Sequence, residues 1–173
     1  MNEKDSSLGD RDAATLGIAG VHIDRGDFKK AIERASTVKS GRQAYPAALA
    51  RKAKALLLTG KNDEALKVCE TGLALQPEAG IAADLGSTQA LVHYYSGRLD
   101  EALAEFESTA DLCALSKNLV GQATAVNGVG LIYHRRGDYN LALGAYEESL
   151  RLAQQSGNGG RVASAAMNIG TIC

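Results

Sequence analysis

Few side chains in this 173-residue chain are suited to chemistry, and their spacing suits it poorly. The histidines are His22, His93 and His134, and the cysteines are Cys69, Cys113 and Cys173. A metal site needs several such ligands converging on one ion at about 2.0–2.3 Å. His22, His93 and Cys173 fall instead in equivalent columns of a repeated pattern, separated by several helix diameters of about 10 Å each. They are read as partly buried packing residues, and Cys69 and Cys113 as small core residues. The pair Gly128 and Gly130 spells a bare G-x-G, but a phosphate cradle needs a strand before it. Here the pair stands inside a helical pattern, so close helix packing explains it. Gly157, Gly159 and Gly160 are read as a loop. The carboxylate pairs Asp100/Glu101 and Glu147/Glu148 would serve acid–base work only if desolvated, and they fall on outer helix faces. The chain holds no G-x-x-x-x-G-K-[ST], H-E-x-x-H or G-x-S-x-G string. No set of reactive groups assembles, so neither an enzyme nor a metal nor a cofactor is expected.

Composition narrows the remaining classes. Apolar residues make up 45% and charged residues 23%, as in ordinary soluble domains. The net charge of −1 gives no general attraction for nucleic acid. The charge is uneven, with 12 Lys/Arg against 7 Asp/Glu in residues 1–61 and 7 against 13 in residues 62–173. The N-terminal string MNEKDSSLGD lacks the apolar centre of a signal peptide. The longest apolar run, near residues 55–58, is too short for membrane insertion. A cytoplasmic chain is expected, and three widely spaced cysteines suit a reducing compartment. Aromatic residues are scarce at 5% and tryptophan is absent. Alanine and leucine favour closely packed helices instead.

The elements that position these residues repeat. Gly26, Gly60, Gly97 and Gly137 anchor the strings RGDFKKAIE, TGKNDEALK, SGRLDEALA and RGDYNLALG. Five residues after each glycine stand Ala31, Ala65, Ala102 and Ala142. Nine after it stand Ala35, Cys69, Phe106 and Tyr146; seven before it stand Ala19, Ala53, Ala90 and Gly130. The unbroken alanine column implies that two helices approach closely in every unit. Each unit reads as helix, glycine turn, helix, because glycine takes the left-handed conformation that ends a helix. Asp27, Asn62 and Asp138 are placed to start the second helix. Pro77 closes the second hairpin. A fifth unit opens with Ile169 and Gly170, which lie 40 residues after Val129 and Gly130, and has one helix only. That helix implies either a chain cut from a longer protein or a partner over its apolar face.

The pattern resembles the tetratricopeptide repeat family over roughly residues 10–173. Gly130, Tyr133, Gly137, Asp138, Tyr139, Ala142 and Tyr146 match it best. The later 40-residue spacing is similar to the longer repeats of kinesin light chains, of Leu-Gly-Asn-rich polarity adaptors and of bacterial regulators. Lys52 and Gln89 depart from it where leucine is usual, and Ala35 where an aromatic is usual. The resemblance implies an all-α, right-handed superhelical stack of antiparallel hairpins, with about four full repeats and one unpaired helix. The expected organisation is a polar tail over residues 1–9 and one array over 10–173. Its approximate units are 12–45, 46–79, 80–118, 119–159 and a partial 160–173.

The resemblance further implies that the first helices line a concave groove that binds a protein or peptide segment. A rigid groove offers side chains at fixed spacing to one long ligand. Helical phase selects Arg51 and Lys54 in the second unit, then Thr88, Leu91 and Tyr94 in the third. The fourth unit supplies Asn127, Leu131, His134 and Arg135, and the fifth Asn168. Asparagine pairs with a peptide backbone as donor and acceptor, and Arg51, Lys54 and Arg135 suit carboxylates. Arg136 ends a first helix, where positive charge suits the dipole. Two other functions stay open. One is a regulatory segment of a larger bacterial kinase, cyclase or transcription activator. The other is self-association, through opposite charges or the open C-terminal helix.

Overall fold

The computed structural model describes residues 3–172, and among them it holds nine helices and no strand. They are α1 (Glu3–Asp24), α2 (Phe28–Ala35), α3 (Tyr45–Leu58), α4 (Asn62–Ala74), α5 (Ala79–Tyr95), α6 (Leu99–Leu115), α7 (Leu119–Arg136), α8 (Tyr139–Gln155) and α9 (Gly159–Gly170). Each of the first four pairs is an antiparallel hairpin. Met1, Asn2 and Cys173 lie outside the described residues, and with Cys173 goes its expected correspondence to His22 and His93. Residues 3–9 of the expected tail belong to α1. The span expected as one array divides into two compact units, residues 1–77 and 78–173, with Pro77 at the boundary.

The turns form as the glycines require. Gly26, Gly60, Gly97 and Gly137 have φ of 77°, 75°, 79° and 84°. A Cβ in this region costs about 1–2 kcal/mol. Two backbone bonds close each turn; in the last, Gly137 donates to the His134 carbonyl at 3.0 Å and Asp138 to the Tyr133 carbonyl at 2.9 Å.

The expected aspartate caps are absent. Asp27 and Asp138 make no side-chain cap bond, and Asn62 is the first residue of α4 rather than its cap. Their turns hold the cap residue at ψ near 55–62°, short of the extended backbone that aims a side chain at the next amides. The Asp27 carboxylate lies instead beside His22 and Lys30, at 3.6 and 3.7 Å. Side-chain caps occur where ψ opens to 81° and 92°, at Asn118 before α7 and Asn158 before α9. Asn118 accepts from the Gly121 amide at 3.0 Å and Asn158 from the Arg161 amide at 3.1 Å. Gly159, expected in a loop, is therefore the first residue of α9.

Packing follows the columns. Ala31, Ala65, Ala102 and Ala142 are fully buried, as are Ala19, Ala53 and Ala90. In the first unit Ile23, Ala31 and Ala55 share a core with Phe28 and Ile32. Arg42 ties the α2–α3 connection to Asp12 of α1 with Nη1 at 3.0 and 3.1 Å from the two oxygens. In the second unit Phe106 and Ile132 centre the core with Ala90, Ala102 and Ala125. There α7 carries two glycines that face aromatic rings. A Cβ on Gly130 would stand 2.5 Å from the Tyr146 ring of α8, and one on Gly128 would strike the Phe106 ring of α6.

Gly130→Ala is therefore expected to destabilise the protein by about 1–3 kcal/mol through overpacking. Gly144 of α8 is also helical but faces open space. Gly144→Ala should stabilise by about 0.5–1 kcal/mol through helix propensity. Urea unfolding followed by circular dichroism checks both signs; equal shifts would contradict the close approach.

Candidate functional site

In the second unit the first helices α5, α7 and α9 lie side by side, and their outward side chains make one face. Two contacts prove the adjacency. Asn168 Nδ2 of α9 donates to Asn127 Oδ1 of α7 at 2.8 Å. Arg135 Nη1 of α7 donates to the Tyr94 carbonyl at the end of α5 at 2.6 Å. The Arg135 guanidinium also lies 5.0 Å over the Tyr94 ring, a cation–π contact. Tyr94 meets Tyr95 edge-on, with ring centroids 5.3 Å apart. Leu91 and Tyr94 pack partly buried against the Phe106 core and keep some surface outside. Leu131 is half-buried one turn beyond Asn127. Asn127, Asn168, Leu91, Leu131, Tyr94 and Arg135 thus share this face.

Two expected residues stand differently. Thr88 is 6% exposed, and its hydroxyl donates to the Asp84 carbonyl at 2.8 Å. Its position precedes the turn glycine by nine residues, as Gly128 does in the next hairpin, and Gly128 faces the Phe106 ring of a second helix. Buried and bonded to its own helix, Thr88 is unavailable to a ligand. The His134 ring is half-buried, 5.6 Å from the Tyr139 ring at the start of α8. It packs within its own hairpin.

Arg51 and Lys54 belong to the first unit, on α3. Arg51, Lys54 and Leu58 are the exposed residues of α3. The Arg51 guanidinium crosses to α1 above Gly20, whose missing side chain makes room: a Cβ there would meet it at 3.5 Å.

A polar seam lies between α5 and α6. Gln89 Nε2 donates to Glu105 Oε1 at 2.7 Å, and His93 Nδ1 stands 3.3 Å from Glu105 Oε2. His93 is buried. Burial pushes the Glu105 carboxyl above its ordinary value of 4.5, with Glu101 adding to the rise and Gln89 and Arg98 opposing it. Gln89 was legible only as a polar residue in a leucine column, and its partner on α6 carried no signal in the sequence. Tyr146 is fully buried, and burial pushes its hydroxyl up to about 12. Burial likewise raises the Cys113 thiol. Among the carboxylate pairs, Asp100 is ion-paired with Arg136, and Arg151 binds both oxygens of Glu148, at 2.7 and 2.6 Å. Among the described residues no group of three or more His, Cys, Asp or Glu is placed to hold a metal ion, and no helix is long and apolar enough to cross a membrane.

Comparison with known proteins agrees with this architecture. Residues 16–80 and residues 81–155 each match a family model described as tetratricopeptide repeat. The chain is similar in structure to BtubC (BKLC) from P. vanneervenii, at TM-score 0.68 and 18% identity, over 98% of this chain and 78% of that one. A putative kinesin light chain with nearly identical TPR-like repeats from Podosopora anserina matches at TM-score 0.63 and 16% identity, over 94% of both chains. MamA protein matches at TM-score 0.60 and 20% identity, over 95% of this chain and 81% of that one. No curated protein matches by sequence.

The seam makes a pH-dependent prediction. Because folding raises the Glu105 pKa, the folded chain binds more protons than the unfolded one between pH 4.5 and the raised value. Stability from this group is present at low pH and falls as pH rises through the raised value. Glu105→Gln keeps an acceptor for Gln89 and removes the buried charge. It should be more stable than the native chain at pH 7, with the advantage gone below about pH 4. Urea midpoints across that range measure it; a less stable variant at pH 7 would show that the His93 contact outweighs burial.

Proposed function

From the tetratricopeptide repeat family, to which this chain belongs, we propose a protein-interaction scaffold whose second unit binds an extended peptide segment along α5, α7 and α9. The observation that carries this reading is the Asn127–Asn168 pair. Asn168 spends one amide hydrogen on Asn127 Oδ1. Asn127 Nδ2 and Asn168 Oδ1 remain as a donor and an acceptor side by side. That pair matches the carbonyl and N–H of one residue in an extended chain, which leaves its own backbone groups open. Both amides are half-buried, so a bond there is shielded from water.

Leu91, Leu131 and Tyr94 supply apolar contact beside the amides. A ligand side chain resting on them loses water-exposed area at about 25 cal/mol per Å². Arg135 is held by Tyr94 and still exposed, so it offers a fixed cation to a ligand carboxylate. An ordered receptor of this kind has little freedom to lose on binding. The ligand expected is an extended segment of another protein, apolar at one position and acidic near Arg135.

Selection from a random peptide library, followed by anisotropy titration of a selected peptide, tests this. Asn127→Ala and Asn168→Ala should each weaken binding about three- to tenfold, as loss of one backbone hydrogen bond does. Helix content by circular dichroism should stay the same. Thr88→Ala, at a buried position, should leave the affinity unchanged. Unaltered affinity in both asparagine variants would contradict the reading.

A further inference from the structure

The face of α3 in the first unit lies outside the proposed peptide site, and a different surface of the same molecule fits it. Within α3 the charged residues are Arg51, Lys52 and Lys54, with no acidic residue. The exposed ones make a single stripe, Arg51, Lys54, Leu58. Within α6 the charges are all acidic: Asp100, Glu101, Glu105, Glu107 and Asp111. Its outer side, away from the buried Ala102, Phe106, Thr109 and Cys113, shows the stripe Glu107, Asp111, Leu115. Leu115 is 85% exposed and Leu58 is 48% exposed. No contact within the second unit accounts for so open a leucine. Among the described residues, Arg51, Lys54, Glu107 and Asp111 make no ion pair with one another or with any other side chain.

The stripes match in order and in length. Arg51 to Leu58 spans seven residues, or about 10.5 Å of helix, and Glu107 to Leu115 spans eight, or about 12 Å. Laid parallel, they set Arg51 against Glu107, Lys54 against Asp111 and Leu58 against Leu115. We propose that a second copy of this chain docks its α6 along α3, with two ion pairs and one leucine contact as the register. The Arg51 guanidinium lies over Gly20 of α1 and stays exposed. The contact joins two different surfaces, so a pair of copies retains one free α3 stripe and one free α6 stripe, and further copies can add. Exposed ion pairs contribute little singly, so the association is weak, concentration-dependent and salt-sensitive.

Sedimentation velocity over a range of protein concentrations tests it, at low salt and at about 1 M salt, where screening shortens to about 3 Å. The native chain should associate at low salt and dissociate at high salt. The double variants Arg51→Glu/Lys54→Glu and Glu107→Lys/Asp111→Lys should each associate at least tenfold more weakly, with unchanged circular dichroism. An equimolar mixture of the two should associate again, because the native α3 of one meets the native α6 of the other and the two reversed stripes are complementary as well. Leu115→Asp should weaken the native association in the same direction. A native chain that stays monomeric, association that survives both reversals, or a mixture that does not reassociate would each overturn the proposal. Glu107 and Asp111 lie off the α5–α7–α9 face, so loss of association in that variant with peptide affinity intact separates this contact from the peptide site.

Discussion

The second unit depends on how closely a helix can approach α7. Phe106 comes from one neighbouring helix and Tyr146 from another, and each ring rests where α7 has a hydrogen atom in place of a side chain. An aromatic ring buries a large apolar area, but only if its neighbour leaves a space of the right depth. Gly128 and Gly130 leave two such spaces within one turn. The alanines of the adjacent columns continue the same constraint along α5 and α6. Glycine in a helix interior is costly by propensity alone, so its presence here is a packing decision.

That spacing determines what the outer face can do. With the rings seated, α5, α7 and α9 come near enough for Asn127 to reach Asn168 and for Arg135 to reach Tyr94. These bonds fix the orientation of polar side chains on that face. Behind the face, the Gln89–Glu105–His93 seam holds α5 to α6 by directional contacts where the repeat pattern uses an apolar one. A half-buried carboxylate is a costly way to do so, and its expected benefit is register rather than stability.

The fold was legible because its governing residues recur. Four glycines at a left-handed turn and four alanines five residues later can be read without coordinates, and both behave as their types require. Side-chain direction was harder, since phase counting treats each helix as if it stood alone. Thr88 shares a register with Arg51, but Thr88 faces inward whereas Arg51 lies over Gly20 and stays exposed. His134 stands in the same column as Tyr94, and its half-buried ring lies beside the Tyr139 ring. The Asn127–Asn168 pair is offset by 41 residues rather than by the repeat of 40. Capping failed for a similar reason. Aspartate after the turn glycine looks like a cap, but the turn's backbone aims it elsewhere, and Asn118 and Asn158 cap instead.

The central claim is that the outer face of α5, α7 and α9 receives a peptide backbone through paired asparagine amides. Nuclear magnetic resonance of the side-chain amides during titration with a selected peptide tests it most directly. The Asn127 and Asn168 NH2 signals should shift first and saturate with the bound fraction, together with the methyl groups of Leu91 and Leu131. Shifts confined to residues on the outer sides of α6 and α8, with both asparagine signals unmoved, would contradict it.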